Sequence, residues 1–396
     1  MFHLQPASVI MLISVMIMVF KTKAGTEMLN VLHLIHYLGN GGSEKYICSL
    51  ADKLHNRLCN FTVAYCVEGN GKEPFQELGI DLIRMEMNSP VDIRAARILK
   101  RLCEQRSIDV IHTHFLRENY IGILSKILGN KVKIINTRHM LFENSKPVIW
   151  ANRLICRLND KIIAVSDHVR EQLLREGIPP EKVELIYTGI DLKQWNTPAS
   201  GSFRKEFGIA EDEILVTSAA RFSAEKGHDF FIDAVKYFKE QVRDNRISIP
   251  KLRFILAGEG ELLDSIKLKA KSYGLDDDII FTGYRRDMKN ILESSDIFIS
   301  HSSSEAFGIS ILEAMAAGLP VISTDSGGTR EIVNDRLKSG VLIDYGDTKA
   351  FSEALVSLLT NKDLRNSFVN NGRKVVEKYF NLDKTAEETY NLYVIS

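Results

Sequence analysis

Short apolar runs alternate with amphipathic stretches along most of the chain. Apolar runs of about four to eight residues between turn signals are typical of strands buried on both faces, and the amphipathic stretches between them are typical of covering helices. The first set of predicted strands comprises residues 31–36, 61–66, 110–114, 133–137, 161–165 and 183–187. The pattern pauses at 187–200, and a second set follows at 214–219, 253–257, 279–282, 297–300 and 320–324.

This repeated pattern predicts an α/β protein built from two doubly wound, Rossmann-like domains with a cleft between them. A chain of 396 residues is also longer than one hydrophobic core usually supports. We expect the first domain at 28–190 and the second at 191–375. A last helical stretch at about 364–393 would return to the first domain through residues 376–396. Such sheets bind ligands beyond the carboxyl ends of their strands, so the cleft is the expected site.

The segment before the first predicted strand contains an apolar run at 7–20 (ASVIMLISVMIMVF). The run is shorter than the roughly 20 residues that a membrane-spanning helix needs, and no Lys or Arg precedes it as in a signal peptide. Lys21 and Lys23 follow it, which would keep the remaining chain in the cytoplasm if the run inserted. Residues 1–27 are therefore either a short hydrophobic anchor or an extension from a mis-assigned start, with Met28 opening the domain.

Charge and cysteine content narrow the class of protein. The 51 basic and 51 acidic residues cancel, which argues against nucleic acid as the main partner. Five cysteines without a C-x-x-C pair are a poor disulfide framework. They are typical of small buried residues in a reducing compartment, so we expect a cytoplasmic protein.

The first predicted strand runs into a glycine loop, Gly39-Asn40-Gly41-Gly42, and then into a helix. Glycines let the backbone approach a ligand closely, and the helix amides that follow favour an anion. A dinucleotide-binding fingerprint would require a small residue at position 44, where this chain has Glu44. The loop therefore favours a phosphate ligand and disfavours an oxidoreductase.

A second candidate site lies in the stretch SEAFGISILEAMAAGLPVISTDSGG, residues 304–328. We expect a helix from Phe307 or Gly308 to Gly318, so that Glu305 precedes it and Glu313 lies inside it. The free amides at its start, those of Phe307, Gly308 and Ile309, favour an anion such as a pyrophosphate, and the carboxylates can accept hydrogen bonds from hydroxyls. The alternative is that Glu305 only caps the helix and Glu313 lies on its exposed face.

Two cations and several other polar features complete the candidates. Arg221 and Lys226 lie at a strand-to-helix turn, and together they suit a diphosphate. His112 and His114 share one strand face, but no third ligand is near in sequence, so no metal site is expected. The arginines of one predicted helix face could touch an anionic membrane surface, or that face is simply solvated; these are Arg94, Arg97 and Arg101.

Taken together, these motifs resemble the retaining GT-B glycosyltransferases of the large E-x7-E group, the family 4-like enzymes of bacterial polysaccharide and glycolipid synthesis. The resemblance runs from Met28 onward and rests on the glycine loop and five further segments: INTRHM, IIAVSDHVREQL, IYTGIDLKQW, RFSAEKG and AFGISILEAMAAGLPVISTDSGGTREIV. Thr188 departs from the more usual Asn of the fourth segment.

The resemblance implies a role for each candidate residue. Glu313 would bind the donor ribose, Glu305 the hydroxyls of the transferred sugar, and Arg221 with Lys226 the diphosphate. His139 would lie near the sugar. Gly283, Tyr284 and Arg285 would flank the base. The remaining donor-binding residues would be Gly41, Gly42, Phe307, Gly308 and Ile309.

The resemblance also implies the reaction. The protein would be a retaining, metal-independent hexosyltransferase without a cofactor. It would transfer sugar from a nucleoside-diphosphate-sugar to a glycan or lipid-linked acceptor in cell-surface polysaccharide or glycoconjugate synthesis, on the cytoplasmic side and peripheral to the membrane. Two alternatives remain open: a nucleotide-sugar epimerase of the same architecture, and a non-catalytic subunit that binds sugar nucleotides.

Overall fold

A computed structural model describes residues 28–141, 144–197 and 201–395. The apolar run at 7–20, for which an anchor or an extension is predicted, lies outside the described residues. Within the described ranges, every helix is too short or too polar to cross a bilayer.

The first domain is a seven-stranded parallel sheet with the order β3-β2-β1-β4-β5-β6-β7. Its strands are β1 (Leu29–Leu38), β2 (Cys59–Glu68), β3 (Asp81–Arg84), β4 (Val110–Thr113), β5 (Lys133–Arg138), β6 (Lys161–Ala164) and β7 (Val183–Leu185). The helices between them are α1 (Gly42–Leu54), α2 (Lys72–Glu77), α3 (Ile93–Gln105), α4 (Leu116–Ile127), α5 (Lys146–Ile155) and α6 (Asp167–Arg175).

The second domain is a six-stranded parallel sheet with the order β10-β9-β8-β11-β12-β13. Its strands are β8 (Ile214–Ala219), β9 (Leu252–Ala257), β10 (Ile279–Gly283), β11 (Ile297–Ser300), β12 (Val321–Thr324) and β13 (Val341–Ile343). Its helices are α7 (Phe203–Glu206), α8 (His228–Asp244), α9 (Leu263–Ser272), α10 (Met288–Glu293), α11 (Ile309–Ala317), α12 (Thr329–Ile332) and α13 (Thr348–Thr360), and two more helices end the chain, α14 (Lys362–Tyr379) and α15 (Leu382–Val394).

The predicted α/β class with two doubly wound sheets is confirmed. Strands near the middle of each sheet are buried on both faces: Val31 and Ile35 of β1 pack with α1, whereas Leu32 and Leu34 pack with α3. The strands β3 and β13 were not predicted. Both are edge strands of three or four residues that are largely half-buried or exposed, so neither gives a continuous apolar run.

The end of the chain differs from the single helical stretch predicted at 364–393. It forms α14 and α15, separated at Phe380 and Asn381. At this break the chain pairs with the linker after β7, because the Ile190 N–H donates to the Phe380 carbonyl (3.0 Å) and the Leu382 N–H donates to the Ile190 carbonyl (3.2 Å). Helix α15 then packs on α1, which returns the chain to the first domain.

The two domains also contact each other directly. The Ser166 hydroxyl donates to the carbonyl of Ala306 (2.6 Å), and the Glu331 carboxylate accepts from the amides of Asp167 (2.8 Å) and His168 (2.9 Å) at the start of α6. A helix N-terminus favours such a carboxylate because its amides lack intrahelical acceptors. These bonds join loops at the carboxyl ends of both sheets.

Three histidines lie in the core of the first domain, on the sheet face covered by α1 and α15. His33, His112 and His114 are fully buried. His112 is hydrogen-bonded through Nδ1 to the Tyr393 hydroxyl (2.6 Å) and through Nε2 to the Thr137 hydroxyl (2.7 Å). Burial lowers the pKa of His33 to about 3 and the pKa values of His112 and His114 well below the usual value.

These histidines predict acid sensitivity. In the unfolded chain each histidine binds a proton below about pH 6.5, whereas the folded protein keeps all three neutral to lower pH. The free energy of unfolding therefore falls by about 1.4 kcal/mol per pH unit for each group as pH falls below 6.5. Urea unfolding at pH 7, 6 and 5 should show this fall. The dependence should be shallower in His112→Asn, and a free energy of unfolding that is constant from pH 7 to 5 would contradict the neutral cluster.

Candidate active site between the two domains

The candidate site lies where loops at the carboxyl ends of both sheets meet. Gly42 opens α1 in the first domain, and a Cβ placed on it would lie 3.6 Å from the side chain of Ile309, the first residue of α11 in the second domain. Lys45 of α1 reaches Glu313 of α11 (Nζ to Oε1, 2.8 Å). The glycine loop and the E-x7-E segment therefore face each other, through contact residues Lys45 and Glu313 that are 268 positions apart in the sequence.

Glu305 and Lys226 form the most enclosed ion pair of the site. The Lys226 ammonium lies 2.6 Å from Glu305 Oε2, and their side chains are only 21% and 18% exposed. His301, which was not among the predicted site residues, holds the backbone of Lys226 in place. Its Nδ1 bonds the Lys226 carbonyl (2.7 Å), its Nε2 bonds the Ser218 hydroxyl (2.9 Å), and burial lowers its pKa to about 4.

The backbone of Glu305 is fixed by the glycine pair that ends the segment. The Glu305 N–H donates to the Ser326 carbonyl (2.7 Å), and the Gly328 N–H donates to the Glu305 carbonyl (3.0 Å). Gly327 has φ +111°, and a Cβ there would lie 2.6 Å from the Glu305 carbonyl oxygen. Only glycine fits this close approach without a shift of the backbone.

Helix α11 begins at Ile309, slightly later than predicted, and its N-cap is Gly308 at φ +113°. No side chain caps the helix, so the alternative in which Glu305 serves as the cap is wrong. Within the described residues, the amides at this helix end have no backbone acceptor; they are those of Phe307, Gly308 and Ile309. Glu313 is 16% exposed and faces Lys45, so it lies at the cleft and not on an open surface.

Arg221 lies at the edge of this group. Its guanidinium pairs with Glu225 (3.0 Å), which also accepts from the Ser223 hydroxyl (2.6 Å), and its side chain is 60% exposed. It is thus the more exposed cation of the pair, whereas Lys226 is enclosed.

Glu44 explains why the glycine loop departs from a dinucleotide fingerprint. Its carboxylate is buried and accepts from the Gly39 N–H (2.9 Å) and from the Ser43 hydroxyl (2.7 Å). The carboxylate therefore stabilises the conformation of the loop. Gly41 and Gly42 lead into α1 on the cleft side.

The three residues predicted to flank the base differ in what they contact. Gly283 ends β10 at φ +67°. The Tyr284 hydroxyl interacts electrostatically with Lys45 and Glu259, and burial is the main cause of its raised pKa. Arg285, by contrast, is held by the carboxylates of Glu206 (Nη2 to Oε2, 2.8 Å) and Asp287 (Nε to Oδ1, 2.8 Å). These hydrogen bonds raise the pKa of Arg285.

His139 follows β5 and joins the histidines of the first-domain core. Its Nε2 is hydrogen-bonded to His114 Nδ1 (3.0 Å), and His114 Nε2 is hydrogen-bonded to His33 Nδ1 (3.0 Å). Burial lowers the pKa of His139 to about 3, so the ring is neutral. The H-x-H pair was visible in the sequence. Its partners His33 and His139 were not, because they belong to β1 and to the residue after β5 and meet His114 only in the fold.

Two family models match the chain. Residues 40–194 match Glycosyltransferase Family 4, and residues 200–375 match Glycosyl transferases group 1. Between them they cover most of both domains, from the glycine loop into α14.

Characterised relatives are similar over most of their length. The UDP-Gal:alpha-D-GlcNAc-diphosphoundecaprenol alpha-1,3-galactosyltransferase of Escherichia coli is 27% identical over 314 residues, which cover 76% of this chain and 79% of the relative. The N-acetylgalactosamine-N,N'-diacetylbacillosaminyl-diphospho-undecaprenol 4-alpha-N-acetylgalactosaminyltransferase of Campylobacter jejuni is 23% identical over 373 residues, which cover 89% of this chain and 96% of the relative.

Solved structures share the fold. Anabaena Alr3699/HepE, determined in complex with UDP and glucose, superimposes with a TM-score of 0.81 at 19% identity and covers 92% of this chain and 98% of its own. A glycosyltransferase from Rickettsia africae has a TM-score of 0.79 at 20% identity and covers 93% and 98%. The two matched family models and this GT-B architecture show that the chain belongs to the family 4-like GT-B glycosyltransferases.

Proposed function

We propose that the protein is a retaining glycosyltransferase that transfers a sugar from a nucleoside-diphosphate-sugar to a lipid-linked or glycan acceptor in cell-surface polysaccharide or glycoconjugate synthesis. The observation that supports this most is the arrangement around α11. Free helix amides lie between two carboxylates, and each carboxylate is paired with a lysine. A sugar diphosphate needs both kinds of group.

Donor binding would exchange these ion pairs for contacts with the ligand. The diphosphate would take Lys226, Arg221 and the amides at the start of α11, because oxyanions bind best where cations and free N–H groups converge. Glu305 would then accept hydrogen bonds from hydroxyls of the transferred sugar, and Glu313 from the ribose. Gly42, without a side chain, leaves room for the diphosphate beside Ile309.

The chemistry follows from the same groups. Cleavage of the glycosidic bond passes through an oxocarbenium-like state, and negative charge grows on the departing phosphate. Lys226 and the helix amides would stabilise that charge. The acceptor would attack from the face that the phosphate leaves, with the phosphate taking the acceptor's proton, so the anomeric configuration is retained. This sequence of steps uses no metal and no cofactor, and it would not be shared by an epimerase or a binding subunit.

The acceptor is proposed from the relatives. The Escherichia coli and Campylobacter jejuni enzymes are both named for a sugar carried on diphosphoundecaprenol. A lipid-linked acceptor would bring this chain to a membrane, and the exposed face of α3 offers a contact, since exposed Ile93 and Ile98 lie among its cations. Those cations are Arg94, Arg97 and Arg101.

The donor site is tested by substitution. Glu313→Ala and Lys226→Ala should each weaken donor binding or turnover at least tenfold, about 1.4 kcal/mol, because each removes one group that contacts the donor. A nucleotide sugar selected by thermal stabilisation of the wild type serves as the probe. Lys349→Ala, which breaks an exposed ion pair with Glu353 on α13, is the matched control. Wild-type kinetics in both site variants would overturn the assignment.

The mechanism is tested by the product and by chelation. Turnover should be unchanged in EDTA, and proton NMR of the first product formed should show the anomeric configuration of the donor. An inverted product, or loss of turnover that a divalent metal restores, would rule out the proposed mechanism while leaving the transferase assignment in place.

Membrane contact is tested by sedimentation with phosphatidylglycerol vesicles, with phosphatidylcholine vesicles as the reference. Changing Arg94, Arg97 and Arg101 together to Gln should reduce the bound fraction severalfold, since each cation near an anionic surface contributes about 1 kcal/mol. The control changes three exposed lysines of the second domain, Lys271, Lys349 and Lys362. Equal partitioning of the wild type and the arginine variant would discard the α3 contact.

A further inference from the structure

Three histidines form a hydrogen-bonded row that leads from the core of the first domain to the end of β5. Two residues beyond His139, the side chain of Leu141 lies 3.1 Å from a Cβ placed on Gly327 of the second domain, so this end of the row lies beside the cleft. We propose that this row, His33–His114–His139, is a tautomer relay that keeps the proton of His139 on Nδ1. His139 then presents an N–H donor to the cleft, and His33 and His114 are positioning residues that act through it.

The row is built by the register of three neighbouring strands. His33 of β1 lies opposite His112 of β4, which lies opposite Ile135 of β5. Side chains two positions apart point to the same face of a sheet. His114 is two positions after His112, and His139 is four positions after Ile135. Both side chains therefore lie on the same sheet face as His33. Neighbouring rings of the row are nearly parallel, with centroids 5.2 Å apart in both steps.

Each of these rings is neutral at physiological pH and so carries a single N–H. The two N···N hydrogen bonds of the row, both 3.0 Å, must therefore run in the same direction along it, because His114 has one proton for two partners. Either His33 donates to His114 and His114 donates to His139, or both bonds are reversed.

The surroundings of His33, at the buried end of the row, decide between these two directions. His33 Nε2 is buried and has no hydrogen-bond partner. If His139 were the first donor, His33 would carry its proton on this nitrogen, which would leave a buried N–H without an acceptor. The opposite direction leaves only an unused lone pair. Buried N–H groups without acceptors are the rarer and more costly case, so the proton of His33 lies on Nδ1 and the row donates toward the cleft.

The direction of the row decides what His139 can do. Its Nε2 accepts from His114, so its own proton lies on Nδ1. Among the described residues, no group forms a hydrogen bond with this Nδ1. His139 is then a hydrogen-bond donor to a hydroxyl or phosphate oxygen of the substrate, and it does not take the acceptor's proton. This last step rests on the proposed function, whereas the tautomer itself does not.

A metal centre is the competing explanation for the cluster. Ligand nitrogens of His33, His112 and His114 lie within 4.8 Å of one another. Both nitrogens of His112, however, bond the hydroxyls of Tyr393 and Thr137, and both nitrogens of His114 serve the row. Metal binding would have to break these bonds in the core, so the residues fit a relay better than a metal.

The test is NMR of the full-length protein labelled with ¹⁵N in its histidine rings. Two-bond nitrogen–proton correlations report which ring nitrogen carries the proton, and the His139→Gln spectrum assigns the signals of His139. We expect the Nδ1–H tautomer for His139, His114 and His33 in the wild type. An Nε2–H tautomer at His139, or a charged ring at pH 7, would overturn the relay.

Two nearly isosteric substitutions test the coupling. The side-chain amide in His33→Asn can donate to His114 Nε2 and should keep His139 as Nδ1–H. The carboxylate in His33→Asp accepts from His114 Nε2 and should reverse the row, moving the proton of His139 to Nε2. Hydrolysis of the nucleotide sugar without acceptor should lose at least tenfold in kcat in His33→Asp, with the donor KM unchanged, and His33→Asn should restore it. An unchanged His139 tautomer in a folded His33→Asp whose spectrum shows a neutral His114 would refute the coupling.

The remaining outcomes separate the relay from the proposed function and from a metal. A wild type that lacks turnover but shows the expected tautomers refutes the function and keeps the relay. Stoichiometric zinc binding that shifts the signals of His33, His112 and His114 together would refute the relay. If His33→Asp does not fold, the tautomers of the wild type still decide.

Discussion

The proposed donor site depends on how two carboxylates are kept beside the free amides at the start of α11. Glu305 and Glu313 flank the helix end whose amides favour a diphosphate, and alone they would repel it. Each is neutralised by a lysine from another part of the chain, Lys226 from the β8 connection and Lys45 from the first domain. In the proposed function, the ion pairs preserve a site that binds an anion through its cations and hydroxyls through its carboxylates.

The packing around these pairs holds their geometry. Ser326, Gly327 and Gly328 fix the backbone of Glu305, and the buried neutral His301 fixes the carbonyl of Lys226. The contact between Lys45 and Glu313 forms only when both domains are correctly placed. The bonds from Ser166 to Ala306 and from the start of α6 to Glu331 secure that placement. Domain arrangement and site electrostatics are therefore coupled in this protein.

The sequence predicted the architecture well because periodic apolar runs reveal buried parallel strands, and nearly all of these strands were located. It failed for β3 and β13, which are too short to show a pattern, and at Phe380, where pairing with Ile190 interrupts the last helical stretch. In the cleft, the positions of Glu305 and Glu313 relative to α11 followed from local signals. Lys45, His301 and His33 could not be predicted, because their partners lie on distant segments brought together only by the fold.

The account is tested most directly by a crystal structure with a nucleoside diphosphate, with UDP and GDP tried in turn. It predicts the diphosphate at the start of α11, with its oxygens within hydrogen-bonding distance of Lys226 Nζ and of the amides at residues 307–309. The Lys226–Glu305 contact should be lengthened and Glu313 should contact the ribose. A nucleotide bound elsewhere, or a diphosphate that leaves the Lys226–Glu305 pair intact and touches none of these amides, would contradict it.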